Sequence, residues 1–335
     1  MDNITHSLTG ALAAKVIERQ GVPEADQRRQ RRALFWLLVL CANLPDIDVL
    51  FSVFGGRLFS LQHHRGITHS FVFAPLFALL PATLFYTFGK LRDFKVVWLA
   101  AFLGIVVHIF FDLVTPFGTE IFFPLSTTRY SLDWMFIVDP IFTALLGLPL
   151  LFGKIFQRRR KVIVLGGTGL VLLYLSLEMI NHSAALQQVE DVLHEKGVTA
   201  TKVSVLPQPL SIFRWMGLVQ TKSGVMQTFF SVFGDADSLA FTTYENPTDE
   251  FVLKALQTET GKWYTTFARH PWIRSFKEGN HNVVEFRDLQ FSIDRALLSS
   301  VGFHERSLPF VLRFEFSLDG QLSETTFDGR PISKM

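Results

Sequence analysis

Apolar residues dominate five stretches of the chain, 33–53, 71–88, 96–114, 136–156 and 162–180. Each approaches the roughly 20 residues that a helix needs to cross the hydrocarbon core of a bilayer. A shorter stretch over residues 4–18 is too brief to span, but Leu8, Leu12 and Ile17 among small residues suit a helix packed against a bundle. Beyond Asn181 the pattern changes. Leu186, Val189, Val192 and Leu193 recur at helical spacing, so residues 182–198 read as a helical connector. Short alternating runs follow, among them Val283-Val284-Glu285-Phe286-Arg287 and residues 310–316, with the period of half-buried strands. Asp319-Gly320 favours a tight hairpin turn, and Ser223-Gly224 separates two further apolar runs. The pattern predicts an all-α transmembrane bundle of five long helices plus a short N-terminal helix over residues 1–181, then the connector, then a β-rich soluble domain over 199–335.

Composition points the same way. Of 335 residues, 49% are hydrophobic and 19% charged, with a mean hydropathy of +0.28, more apolar than ordinary soluble domains. The net charge of +2 is too small an excess to imply a nucleic-acid partner; the basic residues instead bunch beside apolar stretches. They do so at Arg28-Arg29-Gln30-Arg31-Arg32, at Lys90-Leu91-Arg92 with Lys95, and at Arg158-Arg159-Arg160-Lys161. Cytoplasmic loops collect Lys and Arg, so residues 54–70, 115–135 and everything after about 181 are expected outside the cytoplasm, although Arg57, Arg65 and Arg129 dilute the contrast. A membrane location fits this pattern. The lone Cys41 allows no intramolecular disulfide. The N-terminus lacks a basic region and its apolar stretch runs into Lys15, Glu18 and Arg19, so a cleaved signal peptide is not expected.

Against this background the acidic residues and histidines stand out: His6, Asp46, Asp48, His63, His64, His69, His108, Asp112, Asp133, Asp139, Glu178 and His182. A charge at membrane depth costs a few kcal/mol even on lenient scales, so such residues tend to face a cavity and mark a functional site. The orientation above gathers most of them at the outer ends of the helices, and His108 and Asp112, at i and i+4, share one helical face. Simpler roles compete. Residues 43–48 also suit a helix end, Thr68 or Ser70 a cap, His108 with Asp112 a structural hydrogen bond, Asp133 and Asp139 two N-caps, and Glu178 with His182 a helix-end pair. Imidazoles mixed with carboxylates suit Zn²⁺, and also Mn²⁺ or Fe²⁺, better than Ca²⁺. The expected ligands are His6, Asp46, His64, His69, His108, Asp112 and Asp139, with Asp139 and Asp48 serving either as ligands or as groups that orient them. So many donors exceed one tetrahedral site and would serve two ions bridged by a carboxylate, an arrangement used in phosphoester hydrolysis. Arg65, with Asp48, is the expected catalytic residue, because its guanidinium can clamp an oxyanion or phosphate through two parallel hydrogen bonds. His194, His270, His281 and His304 lack ligand spacing.

At these residues the chain resembles a family of bacterial membrane-bound metal-dependent hydrolases that includes a LexA-regulated inner-membrane protein. The matching pieces are Asp2-x-x-Thr5-His6-Ser7, Leu44-Pro45-Asp46-x-Asp48, His64-Arg65-Gly66-x-Thr68-His69-Ser70, His108-x-x-x-Asp112-x-x-Thr115-Pro116-x-Gly118 and Asp139-Pro140. That family is distantly similar to zinc-dependent phospholipase C and P1-type nucleases, and only His108 and Asp112 carry over to their helix motif. The resemblance implies a metal-dependent hydrolase acting on a phosphoester or related bond in a lipid or envelope molecule. A metal transporter and a metal-stabilised scaffold or sensor are the competing expectations, the first requiring ligands spread through the bilayer and the second a closed coordination sphere.

Overall fold

The computed structural model describes every residue except 18–23, 51–57, 90, 92, 235–238, 301–307 and 333–335. Glu18, Arg19, the end of the first long stretch, Arg57, Lys90, Arg92 and His304 therefore lie outside the described residues. The chain divides into two compact units, Met1–Ile180 and Asn181–Met335.

The first unit is helical but is not a bundle of five long helices. Its elements are α1 (Asn3–Val16), α2 (Glu24–Cys41), a 3-10 turn (Leu44–Leu50), a helix over 58–63, a 3-10 turn (Ile67–His69), α3 (Ala74–Phe77), α4 (Leu79–Gly89), α5 (Phe94–Leu113), α6 (Pro140–Ile155) and α7 (Arg160–Glu195). Among the described residues two helical segments are long and apolar enough to cross a membrane, Phe94–Leu113 and Gln157–Glu195. Two more pass only as bent pairs, Arg28–Cys41 with Leu44–Leu50 at 46° and Leu58–His69 with Ala74–Gly89 at 85°, while Pro140–Ile155 is shorter. The expected lengths fail for a physical reason. Hydropathy counts side chains, whereas a helix ends where its backbone finds other partners. Asn43 turns its amide back onto the Val39 carbonyl just before Pro45, which has no N–H to donate, and α2 stops at Cys41. Ser70 accepts from Val72 N and donates to Phe123 O, which breaks the second stretch. Asp139 caps α6 through Ile141 N and Phe142 N, so residues 136–138 stay outside the helix.

Two glycines set how closely the first unit packs. A Cβ on Gly10 of α1 would lie 2.6 Å from Leu38 O of α2, and one on Gly104 of α5 would lie 2.7 Å from Cys41 Cβ. Gly10 is one turn from His6 and Gly104 one turn from His108, so these contacts draw α1 and α5 onto the end of α2. Behind them Leu37, Cys41, Ala78, Ala101, Ile105 and Ile109 form a buried core. Leu99 and Leu103 on α5 and Leu170, Leu172 and Leu173 on α7 stay exposed, as surfaces that meet lipid do.

The second unit holds two antiparallel sheets. One runs β1 (Lys202–Pro207), β2 (Arg214–Gln220), β3 (Gly224–Ser231) and β4 (Thr242–Glu245) in that order. The other runs β5 (Pro271–Glu278), β6 (His281–Asp288), β7 (Leu312–Phe316), β8 (Leu322–Phe327) and β9 (Arg330–Pro331). Helices α8 (Glu250–Gln257) and α9 (Glu259–Phe267) stand between them in sequence. Residues 283–287 fall within β6, Ser223 immediately precedes β3, and Gly320 takes a φ of +79° in the turn after β7. There is no separate connector helix, because α7 continues unbroken to Glu195.

Candidate metal centre

Four side chains from three places in the first unit converge. Asp46 comes from the 3-10 turn after α2, His69 from the one before α3, and His108 and Asp112 from the last turns of α5. His108 and Asp112 bring their side chains together because they stand one helical turn apart. His69, His108 and Asp112 are fully buried, and only the Asp46 carboxylate keeps some exposure.

The donor atoms are spaced as ligands of one ion are. His69 Nε2 lies 3.1 Å from His108 Nε2, 3.1 Å from Asp112 Oδ2 and 3.5 Å from Asp46 Oδ1. His108 Nε2 lies 3.5 Å from Asp112 Oδ2 and 3.6 Å from Asp46 Oδ1. Four tetrahedral donors about 2.1 Å from a zinc ion would stand roughly 3.4 Å apart, the middle of this range.

Hydrogen bonding behind the imidazoles fixes which nitrogen faces inward. His108 Nδ1 lies 2.7 Å from the Ala42 carbonyl, which can only accept, so Nδ1 carries the proton and Nε2 presents a lone pair. His69 Nδ1 lies 2.9 Å from Thr68 Oγ1 and 3.4 Å from Asp48 Oδ2, and Thr68 spends its own proton on Asp48 Oδ2. The His69 Nε2 lone pair is therefore aimed at the same point. Two lone pairs and two carboxylate oxygens crowded together repel unless a cation lies among them, and Asp112 Oδ2 has no hydrogen-bond partner. The residues present fit a divalent metal.

Around this group Asp48 holds the second rank together. Its Oδ1 is 2.9 Å from His64 Nδ1, and its Oδ2 accepts from Arg65 N and Thr68 Oγ1, both at 3.0 Å. The structure thus places Asp48 and His64 behind His69. Arg65, with a φ of +60°, sends its guanidinium to Asp112 Oδ1 at 3.0 Å and to Thr115 Oγ1 at 3.3 Å, with its Cζ 4.8 Å from the centre of the Phe117 ring. His6 stacks on His108 at 3.8 Å between ring centres and points Nε2 at Asp112 Oδ1 from 3.3 Å, with neither ring nitrogen hydrogen-bonded. The Met1 amino group also contacts Asp112 Oδ1. Asp112 so turns one oxygen to the four-donor group and the other to His6 and Arg65. Asp139 is not brought to the group; it caps α6 and accepts from the Tyr174 hydroxyl at 2.5 Å. His63 is directed at Phe59 O, and His182 packs against Trp215.

Several parts of the centre carry little sequence signal. The Ala42 carbonyl is a backbone group, which no residue pattern marks. The segment between α5 and α6 wraps the site through Glu120 N to Arg65 O and Phe71 N to Ile121 O, both 2.9 Å, and Arg129 to His64 O at 3.1 Å. Within it Glu120 and Arg129 face each other at 3.3 Å. Burial pushes the Glu120 carboxyl up and the Arg129 guanidinium down from their ordinary values.

No solved structure matches the chain. YbcI, an inner membrane protein of Escherichia coli K12, is 34% identical over 111 residues, 32% of this chain and 61% of its own length. YfhP of Bacillus subtilis 168 is 26% identical over 140 residues, 42% of each chain. The chain spans less than two thirds of the length of either relative. The match to the YdjM inner membrane protein family runs over residues 1–185, more than half of the chain and the whole of the site, and the chain belongs to that family.

Proposed function

We propose that the chain is an inner-membrane hydrolase that holds a divalent metal, zinc in the first instance, between Asp46, His69, His108 and Asp112, and cleaves a phosphoester or related bond in a lipid or envelope molecule. The observation that carries this reading is the meeting of two fixed imidazole lone pairs and two carboxylates at tetrahedral spacing. A bound metal would supply a water of lowered pKa and polarise the bond to be cleaved. Asp46, the least buried of the four, is the donor that can make room for such a water. His6, with two unpartnered nitrogens beside Asp112 Oδ1, would support a second ion bridged through that carboxylate. Arg65 stands ready beside Asp112 to receive a substrate oxygen.

A metal-stabilised scaffold is the second reading, favoured by the same four donors because four protein ligands close a tetrahedron. Transport fits less well, since the donors gather at helix ends rather than along a path. Elemental analysis of the purified full chain is expected to find stoichiometric metal that His69→Ala and His108→Ala lose. No metal, or equal metal in the variants, rejects the centre. With metal bound, turnover of lipid and phosphodiester substrates should fall at least a hundredfold in Asp112→Asn. Loss of thermal stability without any Asp112-dependent turnover favours the scaffold.

A further inference from the structure

At the opposite end of α2 from the metal centre lies a cavity of about 730 Å³ lined by Arg28, Arg29, Arg32, Trp36, Phe85 and Phe88 with their neighbours. Residues 28, 29, 32 and 36 share one face of the helix, being spaced by one turn or adjacent to a residue that is. Some 14 residues of helix separate Arg28 from Ala42, or about 21 Å along the axis at 1.5 Å per residue, so the cavity has no part in the centre described above. Its second wall is α4, which supplies Leu84, Phe85, Phe88 and Gly89, and a Cβ on Gly89 would lie 3.4 Å from Ala33 Cβ. The two helices therefore meet at the floor of the cavity and leave its rim to the arginines. Arg28, Arg29 and Arg32 are exposed, and Phe88 is 75% exposed.

We propose that this cavity binds one anionic phospholipid, its phosphate held by Arg28, Arg29 and Arg32 and an acyl chain laid along Trp36, Leu84 and Phe88. Charge complementarity selects the occupant. Three guanidiniums on one face offer paired donors to phosphate oxygens, and a basic pocket between membrane helices recruits anionic headgroups. The wall below them is aromatic and aliphatic, which suits a hydrocarbon chain and offers nothing to a free phosphate ion. Trp36 stands between rim and wall, where an amphipathic ring sits at the boundary of headgroup and chain. A second basic cluster, Arg158-Arg159-Arg160, carries the same charge, with Arg158 and Arg159 exposed and Arg160 half-buried beside Gly153, and none of the three lines this cavity, so it serves as the control.

The test is native mass spectrometry of the full chain in detergent titrated with dioleoylphosphatidylglycerol, dioleoylphosphatidylcholine or inorganic phosphate. Wild-type protein is expected to retain one phosphatidylglycerol at least tenfold more tightly than phosphatidylcholine, and millimolar phosphate should not displace it. The R28Q/R29Q/R32Q variant should abolish that preference, whereas R158Q/R159Q/R160Q should change affinity less than twofold. Phe88→Ser, at a position 75% exposed, should weaken phosphatidylglycerol several-fold with helicity by circular dichroism unchanged. Equal losses in the two arginine triples, no preference between the lipids, displacement by phosphate, or an unaffected Phe88→Ser would each overturn the proposal.

Discussion

At the scale of single residues, the proposed centre would depend on groups that aim its four donors as much as on the donors themselves. Asp48 receives hydrogens on both oxygens, from His64 on one and from Arg65 N and Thr68 on the other, and through Thr68 it anchors His69. In Asp48→Asn an amide N–H must face one of these donors, so His69 loses its anchor while side-chain volume is kept. Metal affinity is expected to fall about tenfold to a hundredfold, with helicity by circular dichroism unchanged. Unchanged affinity would show that Asp48 does not orient the imidazole. His108 and Asp112 were legible in the sequence because helical spacing alone brings them together, and His69 and Asp46 because charged groups beside apolar stretches need a reason to be there. Asp139 was misplaced by the same logic: Asp before Pro at a helix start satisfies its carboxylate locally, and Tyr174 takes the rest. Distinguishing a cap from a ligand requires knowing which side chains lie across the helix, which a one-dimensional pattern does not carry.

At the scale of elements, the centre exists because helices approach closely where glycine permits. Gly104→Leu would drive a side chain into Cys41, where even a Cβ lies at 2.7 Å. Overpacking of this kind costs about 1–3 kcal/mol, and here it would also push His108 away from the Ala42 carbonyl. The apparent melting temperature in detergent should fall by several degrees and bound metal should drop with it. Gly166→Leu on α7, where a Cβ meets nothing within 4 Å, is the matched control and is expected to leave both unchanged. If the two variants behave alike, close packing is not what positions the site. Helix identity was readable from apolar runs, but helix length was not. The breaks at residues 42–43 and 70–73 arise from Asn43 and Ser70 hydrogen-bonding to backbone, and those breaks place Asp46 and His69 in tight turns that face α5. Strands of the second unit were visible where alternation is strict, as at 312–316, whereas the sheet order depends on pairings distant in sequence.

At the scale of the whole molecule, the two units should respond differently to their surroundings. In the second unit His270 is fully buried with neither ring nitrogen hydrogen-bonded, near Lys202, Arg269 and the buried Asp288. Burial, aided by the two cations, holds its imidazole well below the usual histidine value. The unfolded chain then binds a proton that the folded unit refuses, so stability falls as pH drops below about 6.5. Burial raises the Asp288 carboxyl, which acts in the opposite sense at lower pH. Hydrogen exchange of residues 271–288, corrected for intrinsic rates, should show lost protection at pH 5 relative to pH 7, and His270→Gln should flatten that difference. An identical slope in the variant would remove His270 as its source. Basic residues at the helix ends should set which side of the membrane each part occupies. Both long apolar helices begin at basic residues, Lys95 in the first turn of α5 and Arg160-Lys161 at the start of α7, so each should run outward from the cytoplasm. Two spans of the same direction require the chain to return once between Leu113 and Arg160. The element available is α6, whose 16 residues measure about 24 Å against a hydrocarbon core of roughly 30 Å, so it crosses only where the bilayer thins or flanking residues complete the span. The four-donor cluster at the end of α5 and the whole second unit would then lie outside the cytoplasm. A reporter active only outside the cytoplasm should work when fused after Thr127 or Met335 and stay silent after Lys161, with a cytoplasmic fluorescent reporter giving the converse. Fluorescence after Met335 in well-expressed protein would reverse the orientation and move the centre, and any substrate it acts on, to the cytoplasmic face.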